Sequence, residues 1–410
     1  MTGRVVYASC QWGVLVVIAQ LGTAEQLGNF TFALALTAPI VIFAQLNMRA
    51  VLATDAKDDH ALSEYLVSRL GLATIALAVV AGIANLASSS FEAFLIIIGV
   101  GLFKYFESIS DIIAGFLQKI EKMEKTAISN IFRGVASIAA ITASMYITDD
   151  MTHGIYLIAF LWLSTLLFYD LRNVLVFQKH WTRPSNASMR RLLVACVPLG
   201  FVGLLTSLNT NVSLYAIEHY LGLEMVGYFS AMLYVIVTGR LISGPLAQAA
   251  APQLSRLYAA GQVNDFQSLL IKLLGFGGLV GLAGVAIAGL WGDIILSFLY
   301  SAEYSRYSYV FIWIMVAGGI GYVTTFLGTS LTIARLFREM LALHVTTNVV
   351  LIVLLIVLVP EFGLLGAAWA MVAGGLTTAG LSLALYRFRV ISPIAIPRPS
   401  ERPTVSLDAP

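Results

Sequence analysis

The sequence predicts an all-α integral membrane protein with about twelve transmembrane helices in two six-helix bundles. Only 11% of the residues are charged, whereas ordinary soluble domains carry about 25%. Apolar runs of about 18 to 25 residues recur along the chain and match a hydrocarbon core roughly 30 Å thick. Loops rich in basic residues alternate with loops that have almost none. A soluble fold would have to bury nearly the whole chain, so that class is excluded.

The predicted spans are apolar runs separated by short polar segments. They lie at about residues 5–22, 27–47, 65–87, 92–117, 126–147, 155–177, 192–216, 224–250, 268–290, 307–333, 339–359 and 362–386. The first span begins almost at Met1, and no small-residue cleavage site follows its apolar run. We therefore expect a membrane helix there and not a cleaved signal peptide.

Basic residues lie mainly in the loops on the side of the N-terminus, which we call the basic end of the bundle. Seventeen of the 24 lysines and arginines lie in these loops or in the C-terminal tail, and the opposite loops hold only Arg306. Cytoplasmic loops carry an excess of basic residues, so both termini are predicted to be cytoplasmic. The regular alternation also supports twelve spans, since a wrong count would scramble it.

A short internal repeat divides the chain into two halves. LGTAEQLGNF at 21–30 and LGLEMVGYF at 221–229 each lie between the first and second spans of a half. Because each half has an even number of spans, both enter the membrane in the same direction, like parallel repeats related by an axis along the membrane normal. We predict an N-terminal bundle, a cytoplasmic linker, a C-terminal bundle and a disordered proline-rich tail, at 1–178, 179–191, 192–387 and 388–410.

A stripe of polar residues interrupts the fourth span, in the stretch LFKYFESISDIIAGF at 102–116. Its members recur at steps of three or four and share one helix face: Gly101, Lys104, Glu107, Ser108, Asp111, Gly115 and Gln118. A charge at the bilayer centre costs about 2.5–3.5 kcal/mol on insertion scales, so Lys104 needs water or an acid. Two interpretations follow. The stripe is a structural ion pair of Lys104 with Glu107, or it lines a wet cavity in which Asp111 takes up a proton.

Other polar residues in the spans also need partners or a cavity. Arg69 and Lys272 lie near cytoplasmic span ends, where long side chains can reach the interface. Asp170 and Arg172 share no helix face, so each is expected to have a partner on another helix. The seventh span carries a milder stripe, which either bonds between helices or lines the same cavity: Thr206, Asn209, Thr210 and Ser213.

Arginines near the predicted cleft indicate an anionic substrate. Arg133 and Arg240 lie in the cytoplasmic halves of the fifth and eighth spans, and Arg49 ends the second. Pyrophosphate carries about two negative charges near neutral pH, and the guanidinium fork matches phosphate oxygens bidentately. The predicted site consists of four candidate substrate-binding cations and three candidate ion-coupling acids: Arg49, Lys104, Arg133 and Arg240, and Glu107, Asp111 and Asp170.

Three segments resemble one family. RLISGPLAQAAAPQLSRLY, which begins at Arg240, resembles the eighth-span pattern of the multidrug/oligosaccharidyl-lipid/polysaccharide flippase superfamily. LGTAEQLGNFTFALALTAPIVIFAQLNMRAVLATD and SDIIAGFLQKIEKMEKTAISNIFRG resemble its polysaccharide transport branch, the repeat-unit flippases for O-antigen and exopolysaccharide. The resemblance covers about residues 5–390, with a shorter N-terminus than is usual in the family.

The resemblance implies two six-helix lobes in a V around a central cavity. It implies a flippase, not an enzyme, that needs no cofactor and moves undecaprenyl-pyrophosphate-linked oligosaccharide from the cytoplasmic to the periplasmic leaflet of the bacterial inner membrane by alternating access. The expected partners are that lipid, membrane lipids and other polysaccharide assembly proteins such as a polymerase, with no nucleic acid. By the same resemblance, Arg49 and Arg240 match positions where cavity arginines meet pyrophosphate.

Two other classes remain open. A multidrug antiporter of the same superfamily would favour an acid-rich cavity, whereas the charges within these spans are mixed and lean basic. A polysaccharide polymerase or ligase would work in a large external loop, and the predicted opposite loops are no longer than about 17 residues. No His/Cys/Asp cluster suggests a metal. The sequence has no G-x-x-x-x-G-K-[ST] motif, so flipping is expected to depend on an ion gradient, membrane potential or consumption of the product.

Overall fold

The computed structural model describes residues 2–55, 59–88, 90–178 and 181–391. Every regular element within these ranges is a helix, which confirms the predicted all-α membrane fold. The α-helices are α1 Thr2–Leu21, α2 Ala24–Gln45, α3 Met48–Thr54, α4 Leu62–Ala87, α5 Phe91–Lys119, α6 Met123–Thr148, α7 Met151–Thr165, α8 Leu171–Phe177, α9 Asn186–Leu221, α10 Leu223–Ala259, α11 Val263–Leu299, α12 Ser308–Ile333 and α13 Phe337–Leu385. Two π-helical turns and one 3₁₀ helix connect or continue them, at Leu166–Asp170, Tyr386–Ile391 and Ala302–Tyr307.

The described helices accommodate the predicted spans with two adjustments. Ten helical stretches are long and apolar enough to cross a membrane, and the last of them, Phe337–Val390, has 54 residues. Gly363 divides that stretch, because its φ of +58° and ψ of −136° are not helical, and Pro360 lies one turn before it. The N-terminal helix α1 supplies a further apolar stretch, Val5–Leu21. Counted in this way the helices fit twelve spans, and the number itself stays a prediction.

Two predicted boundaries differ from the observed helix ends. Helix α9 begins at Asn186, inside the predicted linker, and the last π-helical turn runs to Ile391, inside the predicted tail. Residues 392–410 of that tail lie outside the described residues. Helices α9, α10 and α11 have 36 or 37 residues, which is about 55 Å at 1.5 Å per residue. They are longer than the hydrocarbon core is thick, so polar loop residues continue the helices beyond it.

The hydrophobic core is continuous at one end of the bundle and divided at the other. Near the α1–α2 and α9–α10 connections, one cluster of buried residues joins both halves of the chain. At the basic end two separate clusters replace it, one built mainly on α3, α4 and α5 together with the start of α9, and the other on α10 to α13. The first half and helices α10 to α13 therefore diverge toward the basic end, like the arms of a V.

The halves are joined where α2 and α10 cross at the two copies of the repeat. A Cβ atom on Gly28 would overlap the carbonyl oxygen of Leu223, and one on Gly227 would overlap that of Ala24. Gly28 and Gly227 hold equivalent places in the repeat, as do Ala24 and Leu223, so the contact is reciprocal. Such reciprocity is what the predicted two-fold relation between the halves requires. We call this contact the glycine crossing, since any larger side chain would push the two backbones apart.

A second contact ties the start of α9 to the first half. The carboxylate of Glu64, near the N-terminus of α4, accepts hydrogen bonds from the Ser188 hydroxyl at 2.7 Å and the Ser185 backbone N–H at 3.2 Å. His60 Nδ1 lies 2.9 Å from the same Ser188 hydroxyl. A buried carboxylate needs such donors. The linker end of α9 is therefore held against α4 at the basic end.

Gly28→Ala and Gly227→Ala should each destabilise the protein, because the added methyl group meets a backbone carbonyl of the crossing helix. Overpacking of this kind costs about 1–3 kcal/mol. The measurement is the thermal unfolding midpoint of the purified protein in detergent. Gly289→Ala on α11 is the matched control, since a Cβ there has open space, and it should unfold at or above the wild-type temperature. Equal midpoints for the three variants would contradict a tight crossing.

Candidate functional site

A cavity of about 670 Å³ lies between the two halves. Its wall is formed by α2, α5, α9, α10, α12 and α13, so most of it comes from the second half. The wall begins at Thr31 and Ser230, one turn beyond the glycine crossing, and reaches Met340 and His344 in the first turns of α13. The cavity therefore extends from the closed end of the V toward the basic end.

The charged groups in the cavity wall are cations. Among the described residues that line it, Lys104 and Arg240 are the only charged ones, and His344 adds an imidazole. The Arg240 side chain is exposed, and no carboxylate of the described part of the chain lies within ion-pair distance of it. The structure thus brings two of the four predicted substrate-binding residues to one cavity. Their role there stays a prediction.

Lys104 combines the two interpretations that the sequence left open. Its ammonium donates a 2.7 Å hydrogen bond to Glu107 Oε2, and it also lines the cavity. The other carboxylate oxygen of Glu107 accepts a 2.9 Å hydrogen bond from the Tyr7 hydroxyl on α1. An ammonium has three N–H donors, so Lys104 keeps donors for a ligand while it is paired. Among the three predicted coupling acids, Glu107 is the one that bonds to a charged residue of the cavity wall.

Arg49 and Asp111 pair with each other outside the described cavity wall. Arg49 Nη1 donates to Asp111 Oδ1 at 2.9 Å, and its Nη2 lies 3.4 Å from the side-chain oxygen of Gln118. A Cβ on Gly115 would lie 3.1–3.3 Å from Arg49 atoms, so this glycine lets α3 approach α5 closely. Helix α3 is therefore held in place by the C-terminal part of the polar stripe on α5, at Asp111, Gly115 and Gln118.

The expectation that Arg69 reaches the membrane interface is wrong. Its side chain is fully buried, its three nitrogens make no hydrogen bond to a described residue, and its Nη2 lies 3.9 Å from Asp111 Oδ2. The reason is helical spacing. Arg69 belongs to the buried face of α4, together with Tyr65, Ala73 and Ala76. That face packs against neighbouring helices, so the side chain cannot extend to the lipid surface.

Arg133 and Asp170 form a buried ion pair between α6 and the π-helical turn Leu166–Asp170. Their side chains are only 6% and 5% exposed, and the Arg133 guanidinium also lies 5.6 Å from the ring centroid of Trp162. This pair gives Asp170 the partner on another helix that its position predicted. It lies outside the described cavity wall, so the geometry does not favour a substrate role for Arg133 or a coupling role for Asp170. Both roles stay predictions.

The polar wall of the second half was found only in part from the sequence. Thr206, Asn209 and Thr210 line the cavity, as one of the two open interpretations expected. Sequence reasoning did not identify the remaining polar wall residues, among them Thr324, Thr325, His344, Thr378 and Ser382. Their signal was the same helical spacing: small and polar residues recur at steps of three or four on α12 and α13.

Comparison with known proteins identifies the family of this chain. A family model described as "Polysaccharide biosynthesis protein" matches residues 1–258. The capsular polysaccharide biosynthesis protein CapF of Staphylococcus aureus is 27% identical over 373 residues, which cover 89% of this chain and 92% of that protein.

Two solved structures share the fold. A multidrug resistance MATE family transporter of the MOP superfamily, in an inward-facing conformation, aligns with a TM-score of 0.79 at 15% identity and covers 96% of each chain. The lipid II flippase MurJ, in an inward closed conformation, aligns with a TM-score of 0.73 at 14% identity and covers 96% of this chain and 88% of its own.

The Arg133–Asp170 pair should behave as one structural unit. Arg133→Met or Asp170→Asn alone should destabilise the protein by about 3–5 kcal/mol, because each leaves a buried charge without a partner. The double variant should recover most of that loss. Membrane abundance and transport are measured on the same cells for the three variants. A double variant that regains abundance but not transport would contradict a purely structural pair.

Proposed function

We propose that this chain, a member of the polysaccharide biosynthesis protein family, is a multi-pass bacterial membrane transporter that flips undecaprenyl-pyrophosphate-linked oligosaccharide repeat units from the cytoplasmic to the periplasmic leaflet. One observation carries this proposal. The only charged side chains in the described wall of the cavity between the halves are two cations, Lys104 and Arg240, and no carboxylate belongs to it. A wall of this charge suits an anionic headgroup.

The two cavity cations come from opposite halves. Lys104 lies on α5, in the first half, and Arg240 lies on α10, in the second. Arg240 has no acidic partner in the described residues, so its fork of N–H donors is open to bind two phosphate oxygens at once. A pyrophosphate that contacts both cations connects the two halves. Binding the substrate then changes the interaction between the halves, as alternating access requires.

The charge and shape of the bundle support this direction of transport. Cytoplasmic loops carry an excess of basic residues, which favours a cytoplasmic location for the diverging end of the V. The glycine crossing closes the opposite end, so the cavity receives its substrate from the cytoplasmic leaflet. Release to the periplasm requires α2 and α10 to separate at Gly28 and Gly227. The long undecaprenyl chain stays in the lipid, and the headgroup occupies a cavity whose volume lies within the usual range of ligand sites.

Among the three predicted coupling acids, Glu107 is in the best position to respond to the substrate. A pyrophosphate bound to the free N–H donors of Lys104 shares the ammonium charge with Glu107, and Glu107 then needs another positive charge or a proton. The Tyr7 hydroxyl holds the carboxylate in place meanwhile. Asp111 and Asp170 are each paired with an arginine outside the described wall, so their release needs a larger movement of helices.

The two alternative classes have less support. A transporter of cationic drugs needs acids in its cavity, and the described wall offers cations instead. A polymerase or ligase needs an external catalytic domain. The described connections at the end opposite to the basic end are too short for such a domain. The longest of them joins α11 to α12 and contains only the 3₁₀ helix Ala302–Tyr307.

Arg240→Ala should abolish polysaccharide export while the protein stays in the membrane. Arg240→Lys should restore it only in part, because lysine keeps the charge and loses the bidentate fork. Arg256→Ala is the matched control, since Arg256 is an exposed residue near the end of the same helix and does not line the cavity. Export and membrane abundance are measured on the same cells. Wild-type export by the Arg240→Ala variant at equal abundance would contradict the proposed function.

A further inference from the structure

Five threonines of the second half line one side of the cavity: Thr206 and Thr210 on α9, Thr324 and Thr325 on α12, and Thr378 on α13. Each hydroxyl donates its proton to a main-chain carbonyl of its own helix, over distances from 2.8 Å for Thr206 to 3.1 Å for Thr210. We call this set the threonine wall. In all five residues the donor capacity of the side chain is already used.

This arrangement determines which ligand groups the threonine wall can bind. A hydroxyl has one proton and two lone pairs, so each wall oxygen is left as a hydrogen-bond acceptor. At Thr378 one of these lone pairs already faces the Thr347 hydroxyl at 3.1 Å, and the other stays open. A phosphate ester oxygen is also an acceptor and gains nothing there. A sugar hydroxyl can donate to such an oxygen. The wall is therefore selective for hydroxyl donors and complements the cations Lys104 and Arg240, which bind acceptors.

Two asparagines on α9 extend the same surface. The amide nitrogen of Asn211 donates to the Ser207 carbonyl at 2.8 Å, so its side-chain oxygen is left to accept from a ligand. The amide nitrogen of Asn209 is buried and has no hydrogen-bond partner in the described part of the chain. Both asparagines line the cavity. Asn209 thus keeps an unused donor beside the cavity, which a rotation of its side chain would bring to a ring or hydroxyl oxygen of a sugar.

We propose that the threonine wall, with Asn209 and Asn211, is the sugar-recognition subsite of the cavity, and that the pyrophosphate lies separately against Lys104 and Arg240. This inference rests on the proposed function and deepens it. Because α9, α12 and α13 all belong to the second half, the choice of oligosaccharide is made there. The first half contributes Lys104, which binds the part of the substrate that every repeat unit shares.

A purely structural explanation of the threonines is testable, because membrane helices often satisfy threonine hydroxyls in this way. Thr346 on α13 supplies the matched control. Its hydroxyl makes the same bond, to the Ala342 carbonyl at 2.9 Å, but it does not line the cavity. Valine keeps the shape of threonine and removes the hydroxyl. Thr206→Val with Thr210→Val therefore removes two wall acceptors, and Thr346→Val removes one equivalent group elsewhere.

The experiment compares two lipids with the purified full-length chain. One is undecaprenyl pyrophosphate without sugar, and the other is the lipid-linked oligosaccharide extracted from cells that lack this transporter. The double valine variant should bind the lipid-linked oligosaccharide about tenfold more weakly, as expected for two lost hydrogen bonds. Its affinity for undecaprenyl pyrophosphate should stay within about twofold of wild type, which also shows that it is folded. Thr346→Val should bind both lipids like the wild type.

The other outcomes separate this inference from the function on which it rests. Unchanged binding of both lipids by the double valine variant would overturn the sugar subsite. Equal weakening of both lipids would overturn it as well, because the wall would then not distinguish sugar from pyrophosphate. If the wild type fails to bind undecaprenyl pyrophosphate, or if Arg240→Ala binds it equally well, the proposed function itself is wrong.

Discussion

A charge inside the hydrocarbon core must find an opposite charge or water, and this constraint divides the polar residues of the molecule into two groups. In the first half, Arg133 and Arg49 are each matched with an acid on another helix, and these pairs hold the bundle together. Arg240 has no such acid among the described residues and faces the cavity instead. Lys104 pairs with Glu107 and also lines the cavity. The location of the counter-charge therefore distinguishes the residues of the scaffold from those of the proposed binding site.

The glycine crossing gives this cavity its shape. Because Gly28 and Gly227 let α2 and α10 touch backbone to backbone, the halves are joined at one end and diverge at the other. The cavity extends from this point of contact toward the diverging end. In the proposed function, a substrate bound to both Lys104 and Arg240 acts across the same gap. We therefore expect the crossing to weaken as the substrate joins the two cations.

The sequence predicted the fold and the residues that face the cavity better than the partners of those residues. Span length, basic loops and helical spacing depend on local physics, and they identified Lys104, Arg240 and the threonines of α9. Ion-pair partners depend on tertiary packing: Glu107 meets Tyr7 across 100 residues, and Arg133 meets Asp170 across 37. The prediction for Arg69 was wrong because it rested on how deep the residue lies in the membrane. The spacing of Tyr65, Arg69 and Ala73 marks a buried face of α4 instead. The repeat was recognised, but its glycines could not be identified as a contact without the second helix.

A pyrophosphate site at the cavity cations can be tested by the thermal stabilisation of the purified protein by lipid. A ligand that binds only the folded state raises the unfolding midpoint. We expect undecaprenyl pyrophosphate to raise the midpoint and undecaprenol, which has the same chain without phosphate, to leave it unchanged. The rise should disappear in Arg240→Ala and persist in Arg256→Ala. Equal stabilisation by the two lipids, or a full rise in Arg240→Ala, would contradict a pyrophosphate site at the cavity cations.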